Sequence, residues 1–497
     1  MHNRDYWQDL LKKQKFIRHS FIEGSPWFAK SGKTYEVINP ASNMVLAEVT
    51  ACQADDVEIA VRSARQAFDS GIWSDSPLSH RKAVLQKLAE LMLEHREELA
   101  LLESVSMGKP VLDAFNIDIP GAAHVISWYA ESIDKIYDEI APTRPGTLAT
   151  ITREPVGVVA AIVPWNFPLD IAAWKIGPAL AAGNSVILKP SEHSPFTALK
   201  LAELALRAGL PAGVLNVVTG LGMETGAALG LHKDVDVITF TGSTAVGKAF
   251  MEYSGKSNLK QVWLECGGKS ANIILSGCQD LELAAEKAAF GICFNQGEVC
   301  SANSRLLVER SIYADFMEKL LEQLQHWQPA HPMEPTAKMG AMISTAHKDK
   351  VLNFIHTAIE QGGILRAGGE QVEIESVANY ISPTVIEVTS DDMALWRDEV
   401  FGPVLAIKVV EDEKEAIDLA NNHIYALAAS IWSDDLNQAH RVARKLNAGT
   451  VSVNTVDALD VTVPFGGNKQ SGFGRDLSLH AFDKFTKLKT TWFEFRQ

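Results

Sequence analysis

Cysteine is scarce in this chain, five in 497 residues, at positions 52, 266, 278, 293 and 300. The count is odd and the spacing uneven, which excludes a disulfide framework and leads us to expect a reducing, cytoplasmic setting with one reactive thiol. Positive charge is also short: 46 Lys and Arg against 61 Asp and Glu leave a net charge of −15. That balance repels a phosphate backbone, so a neutral or cationic small molecule is a better partner than nucleic acid. Long apolar runs are missing. The most apolar stretch, 156–165, is about half of what a membrane span needs and is interrupted by Pro164, so it reads as a buried strand and no membrane partner is expected. The first twenty residues interleave Lys12, Lys13, Lys15 and Arg18 with single apolar positions and hold no signal-peptide core. Metal-ligand spacing is absent, since no Cys-x2-Cys pair or His-Glu-x2-His helix occurs and Cys293 with Cys300 leaves a zinc two ligands short.

What the chain does have is apolar mass, 46% of its residues. A chain of this length buries about 75% of the surface its unfolded form exposes, so it builds a large core without staples. Apolar residues recur at helical period over 54–70 and 80–104, with His95 to Glu98 read as a solvated stretch. From residue 156 the pattern changes to short β-rich runs at 156–164, 185–188, 214–218 and 235–240. A second set follows at 271–275, 305–308, 404–410, 428–432 and 450–453. Runs that are apolar throughout have both faces covered, as in a parallel sheet between helices. The expected fold class is therefore α/β, with two doubly wound domains. Residues 487–495 read as a terminal edge strand of the kind that pairs across a subunit interface.

Two glycine-rich turns compete as phosphate sites. Gly242-Ser243-Thr244-Ala245-Val246-Gly247-Lys248-Ala249 opens a helix, where backbone N–H groups hold a diphosphate. Ala249 stands where a magnesium-binding Ser or Thr would follow the lysine, so this is not the loop of a nucleoside triphosphatase. Gly220-Leu221-Gly222-Met223-Glu224-Thr225-Gly226 has three residues rather than two before its last glycine and reads as an ordinary turn.

Phe294-Asn295-Gln296-Gly297-Glu298-Val299-Cys300 places a thiol after a turn. Alone, such a cysteine is a small buried hydrophobe. The reading changes beside Leu264-Glu265-Cys266-Gly267-Gly268-Lys269-Ser270 and Pro164-Trp165-Asn166-Phe167-Pro168. Thiol, carboxylate and amide are the nucleophile, base and oxyanion donor of covalent acyl chemistry. With Lys189-Pro190-Ser191-Glu192, Glu399-Val400-Phe401-Gly402-Pro403 and Pro464-Phe465-Gly466-Gly467 in the same order, the chain resembles the NAD(P)-dependent aldehyde dehydrogenase superfamily over nearly its whole length. Stretches 164–175 and 447–476 are most similar to the branch that oxidises amino- and guanidino-aldehydes from polyamine breakdown, such as 4-guanidinobutyraldehyde and gamma-glutamyl-gamma-aminobutyraldehyde.

That resemblance implies a Rossmann-type cofactor domain from residues 1–136 and 156–267, a catalytic domain from 268–477, and a small β bridging and oligomerisation element from 137–155 and 478–497. It implies that Cys300 attacks the aldehyde carbonyl, and that the Asn166 amide and the Cys300 backbone N–H hold the oxyanion. Glu265 then activates water against the thioester. Glu265 or Lys175 would help the thiol ionise. NAD is the implied cofactor, over NADP, because Glu192 accepts hydrogen bonds from ribose hydroxyls and repels a 2′-phosphate; some relatives with that Glu use both. Lys189 and Glu192 are implied at the adenine-side ribose, Ser243 at the diphosphate, and Glu399 with Phe401 at the nicotinamide. Ile162, Pro164, Trp165, Asn166, Ser191, Gly222, Gly226, Phe240, Gly242 and Gly267 complete the implied cofactor contacts.

Singly, these motifs have plainer readings: Lys189 to Glu192 as a helix entry capped by Ser191, Asn166 as a partner of backbone groups. Their order along one chain favours function. Two positions depart from the family spelling, Cys266 where Leu is common and Glu298 where Gln is common. A carboxylate aimed at Cys300 would raise its pKa, so Glu298 is expected to point away. For a cationic substrate tail, Asp170 and Asp118 are the candidate anions, with Trp174 and Leu459 as apolar wall and Asp457 at the mouth. A broad-specificity aliphatic or betaine-type dehydrogenase, a CoA-acylating relative and an inactive nucleotide-binding relative are the rival readings. Glu265 speaks against CoA acylation, and a relative without activity would be free to lose Cys300, Glu265 or Asn166, all of which are present. Strand exchange by the tail implies a homodimer or homotetramer.

Overall fold

The four apolar runs become the parallel strands Val158–Ile162, Ser185–Lys189, Leu215–Val217 and Val237–Thr241, joined by Gln261–Glu265, a fifth that the apolar pattern did not mark; side by side they run in the order third, second, first, fourth, fifth. The computed structural model describes residues 2–496. The strands Val158–Ile162, Ser185–Lys189 and Val237–Thr241 are buried at every position, as continuous apolarity requires of a sheet covered on both faces. Val158, Ala160, Ile187 and Ile238 pack against Val57 and Val61 of the helix Ala54–Asp69. Val159, Val186 and Leu188 pack on the other face with Leu88, Ile126 and Ile176. The short strands Ser20–Ile22 and Ser25–Trp27 extend one edge, and Gly472–Phe473 closes the other against Gln261–Glu265.

The second set of runs forms a seven-stranded sheet in the order Ile364–Ala367, Thr384–Glu387, Val404–Val410, Arg305–Glu309, Ala271–Ile274, Ala428–Trp432, Thr450–Val453, parallel except at its first member. The fold class is α/β with two such sheets.

Two expectations need correction. The helix expected over 80–104 is two helices, Leu78–Glu94 and Arg96–Met107, broken at His95. The charges there do not simply face water: Glu97 accepts from Tyr6 and His2 near the helix Arg4–Lys13, and Glu98 lies 3.2 Å from Lys200 on the helix Phe196–Arg207. The tail strand, Thr486–Glu494, finds its partner inside its own chain. It pairs antiparallel with Thr147–Pro155, which pairs in turn with Glu139–Ala141. Its outer edge stays open, with Leu488, Trp492 and Phe493 exposed. Among the described residues no helix is long and apolar enough to cross a membrane.

Candidate active site

From the first parallel strand, Val158–Ile162, the chain builds outward to one side and then crosses to the other, leaving a crevice at the carboxyl ends of Val158–Ile162 and Val237–Thr241. Pro164, Trp165 and Asn166 follow the first of these strands, Gly242 and Ser243 the second. Glu265 ends the adjoining strand opposite Thr241, and the Gly242 N–H donates to the Glu265 carbonyl at 3.1 Å. The two glycines after the base have separate reasons. A Cβ on Gly267 would collide with Glu399 Oε2, and one on Gly268 would lie 2.6 Å from the Cys300 carbonyl oxygen. Their absence of side chains lets Glu265, Cys300 and Glu399 converge, and the Gly268 N–H fixes Glu399 Oε1 at 3.1 Å.

Cys300 is presented by a stiff turn. After the helix Leu281–Cys293, three successive residues take left-handed backbone angles, Asn295 (φ 50°), Gln296 (φ 58°) and Gly297 (φ 70°). For Gln296 that conformation costs about 1–3 kcal/mol and persists only because the surroundings over-determine it. Asn295 Nδ2 donates to the carbonyls of Asn166 and Glu298 at 3.2 and 3.1 Å, Gln296 Oε1 accepts from the Gly340 N–H at 2.9 Å, and a Cβ on Gly297 would strike the Gly402 carbonyl. Asn166 Nδ2 also donates to the Glu298 carbonyl at 2.9 Å, which leaves its second N–H for an oxygen beside Cys300.

These groups share one cavity of about 230 Å³ in which Asn166, Glu265 and Cys300 meet Pro164, Trp165, Gly242, Ser243, Gly267, Glu399 and Phe401. Thr241, His347 and Lys350 line it too, and sequence reasoning missed them. His347 and Lys350 are one turn apart near the start of the helix Thr345–Glu360, capped by Ser344, a signal too common to single out. The His347 ring meets Trp165 and Phe401 edge-on at 5.6 and 6.1 Å, and its Nε2 bonds the Phe401 carbonyl at 2.7 Å. Burial pulls it down to about 4, so it is neutral.

Burial pushes Glu265 up to about 8 although Lys175 draws it down, and Glu265 Oε1 has no partner. Burial, then the carboxylates of Glu265, Asp457 and Glu399, hold the Cys300 thiol well above its ordinary range, so it rests protonated. Lys175 does not supply the expected positive charge at sulfur. Its ammonium lies on Asp476 Oδ2 at 2.6 Å, and the group it acts on is Glu265. Glu298 does point away: its Oε1 accepts from the Ile343 N–H at 3.0 Å, toward His347.

Residues 27–491 match the family model described as the aldehyde dehydrogenase family. The chain belongs to that family. It is 51% identical to the NADP/NAD-dependent aldehyde dehydrogenase PuuC of Escherichia coli (strain K12), with 99% of this chain and 98% of that protein covered. Among the solved structures that match over the full length of both chains are two named for their aldehydes. One is an indole-3-acetaldehyde dehydrogenase complexed with NAD+, TM-score 0.99 at 50% identity; the other is the gamma-glutamyl-gamma-aminobutyraldehyde dehydrogenase of Burkholderia cenocepacia J2315, TM-score 0.97 at 49% identity. This aldehyde dehydrogenase is thus an NAD(P)-dependent oxidoreductase.

Its crevice fits a dinucleotide. Ser243 caps the helix Thr244–Lys256, accepting from the Val246 N–H at 3.4 Å, so the free N–H groups of a 13-residue helix open on the cavity. Thr241 Oγ1 is buried there without a partner. Gly242 carries no Cβ because one would lie 2.6 Å from the Phe240 ring. Ile162 is buried below this floor. Lys189 Nζ donates to the Pro190 carbonyl at 3.0 Å and lies 3.7 Å from Glu192 Oε2. Ser191 does not cap a helix; its Oγ accepts from His193 at 3.3 Å and the helix begins only at Phe196. Gly222–Gly226 forms one π-helical turn, and a Cβ on Gly226 would touch Lys189 at 3.9 Å.

Among the implied substrate residues, Asp118 is not a free anion. Its carboxylate is buried against Lys109, which also lies 3.7 Å from Glu103, so that charge is already neutralised. Asp170 is in no ion pair; burial and then the Asp118 charge push it up to about 7, against the pull of Lys109 and a bond to Trp174. Trp174 is buried and meets Phe465 edge-on at 5.5 Å. Asp457 accepts from Ser301 Oγ at 2.6 Å, and Leu459 is half exposed.

Proposed function

We propose that this dehydrogenase oxidises an omega-amino or guanidino aldehyde to the carboxylate through a thiohemiacetal and a thioester on Cys300. The observation that carries the substrate class is Asp170, a half-buried carboxyl in no ion pair, four residues past Asn166 in the first turn of the helix Pro168–Ala181. Cys300 loses its proton to bulk water and its Sγ bonds to the carbonyl carbon. The resulting oxyanion lies within reach of the Asn166 amide and the Cys300 N–H, each such donor being worth roughly 10²–10³ in rate. NAD bound in the crevice supplies the hydride acceptor and a positively charged ring. Glu265 then takes a proton from water, which attacks the thioester and frees Cys300. Lys189, Ser191 and Glu192 are the adenosine-side contacts, with Gly222 and Gly226 beside them; Ser243 and Gly242 serve the diphosphate, Glu399 and Phe401 the nicotinamide. Residues 1–136 and 156–267 would form the cofactor domain, 268–477 the catalytic domain, and 137–155 with 478–497 the bridging element.

The gamma-glutamyl-gamma-aminobutyraldehyde dehydrogenase supports this class by name, and the indole-3-acetaldehyde dehydrogenase, named for a neutral aromatic aldehyde, is the counterweight. The test is kcat/KM for 4-guanidinobutyraldehyde against a neutral aldehyde of equal length, with NAD and then NADP. A charge-assisted bond is worth about 1.5–3 kcal/mol, so Asp170→Asn should lower the cationic-to-neutral ratio about 10- to 100-fold. The preference should strengthen as pH rises through about 7, where Asp170 ionises. A ratio unchanged by Asp170→Asn sinks the substrate reading.

The open edge of Thr486–Glu494, with Trp492 and Phe493 exposed, supports a homodimer or homotetramer joined through this element. Light scattering should return two or four chains, and a monomer contradicts it. The five free cysteines fit a reducing cytoplasm.

A further inference from the structure

Behind Glu265 lies a buried row of charge assembled from distant parts of the chain. Asp476 stands between two ammonium groups: Lys175 Nζ at 2.6 Å from its Oδ2, and Lys484 Nζ on its Oδ1. All three side chains are at most 4% exposed. Glu265 faces them across a water-sized space that Lys175, Asp476 and Lys484 line. Arg475 also borders this space but directs its guanidinium to the Gly467 and Gly474 carbonyls and Asn468. On the remaining sides Glu265 meets Cys300 and Glu399, and Asp476 faces Tyr129, whose hydroxyl donates to the Ser478 carbonyl. Lys484 ends the 3-10 segment Leu479–Lys484, and the tail strand Thr486–Glu494 starts two residues later.

One carboxylate between two ammoniums carries a single positive charge, which an ionised Glu265 brings to neutrality. Without Lys484 the row is neutral before Glu265 ionises and negative after, an unfavourable state in a buried site. We propose that Lys484 is a positioning residue for acyl-enzyme hydrolysis: through Asp476 and Lys175 it maintains the charge balance in which Glu265 ionises, coupling the seating of the C-terminal strand to turnover. The inference rests on Glu265 as the water-activating base. Burial leaves Lys484 at about 8, still protonated at neutral pH.

The full-length protein with p-nitrophenyl acetate tests it without the hydride step. Cys300 forms the S–C bond as p-nitrophenolate leaves, giving a burst, and water then cleaves the acetyl thioester in the steady state. Lys484→Met should keep the burst but move the acid limb of the steady rate up by about one pH unit, about tenfold at a pH below the limb, and Lys484→Arg should restore it. The pair Lys484→Met with Asp476→Asn, which removes both charges together, should return the limb to its original position and covers the case in which the single variant fails to fold. An unmoved limb in Lys484→Met, or an upward shift in the pair, overturns the proposal. Glu265→Gln separates the two readings. If it hydrolyses normally the base assignment fails, whereas if it stalls while Lys484→Met leaves the limb in place, only the role of Lys484 fails.

Discussion

Cys300→Ala is expected to lower aldehyde turnover by about 10⁴-fold or more, because no other group in the cavity can form the covalent intermediate. The charged groups that act on the sulfur are Glu265, Asp457 and Glu399, all acids, and none of these carboxyls can replace a thiol as a reversible acyl carrier. Binding should survive the change, since the crevice residues Ser243, Thr241 and Glu399 do not depend on the sulfur for their placement. NAD affinity by calorimetry should stay near the original while nicotinamide reduction disappears. Alkylation offers a second measure. Cys52, Cys266, Cys278 and Cys293 are buried and only Cys300 reaches the cavity, so iodoacetamide should label one site in the native chain and none in Cys300→Ala. Labelling should be slow at neutral pH and speed up with alkali, because burial and the surrounding carboxylates keep the thiol protonated. A variant that turns over at the original rate would end the covalent reading.

How much of this could be read from the sequence follows the range of each interaction. The strand runs at 158–162, 185–189 and 237–241 were legible because a strand buried on both faces must be apolar throughout. The thiol, carboxylate and amide were legible because each sits in a local pattern of turn residues that the backbone itself requires. Gly267 and Gly268 keep clear of Glu399 and Cys300, and Gly297 clears Gly402. What stayed hidden depends on partners distant in sequence. Nothing near Lys175 announces Asp476, 301 positions away, so the lysine was assigned to the sulfur instead of to Glu265. Asp118 read as a free anion although Lys109, nine residues earlier, was available to neutralise it; only the π-helical turn Ala114–Asp118 brings them together. The tail was legible as a strand, but its register on Thr147–Pro155 pairs segments far apart in sequence and shows only in the structure.

Glu265→Gln should separate the two halves of the reaction. The amide is nearly the same size as the carboxyl and can still bond its neighbours, so formation of the thioester should proceed and release about one reduced nicotinamide per chain in the first turnover. Water then meets a group that cannot accept its proton, and the steady rate should fall by about 10²–10⁴, the usual contribution of a positioned general base. The pH dependence gives the sharper test. Burial places Glu265 at about 8, so the group is protonated below that pH and ionised above it. Hydrolysis needs the ionised form, and the steady rate of the unaltered enzyme should climb to about pH 8 and level off. The Gln variant has no such titration, and its residual rate should lack that limb. Loss of the first-turnover burst together with the steady rate would mean that Glu265 is needed to deprotonate Cys300 before anything else. A steady rate close to the original would remove Glu265 from the hydrolytic step and leave Lys175 and Asp476 as a structural ion pair beneath the site.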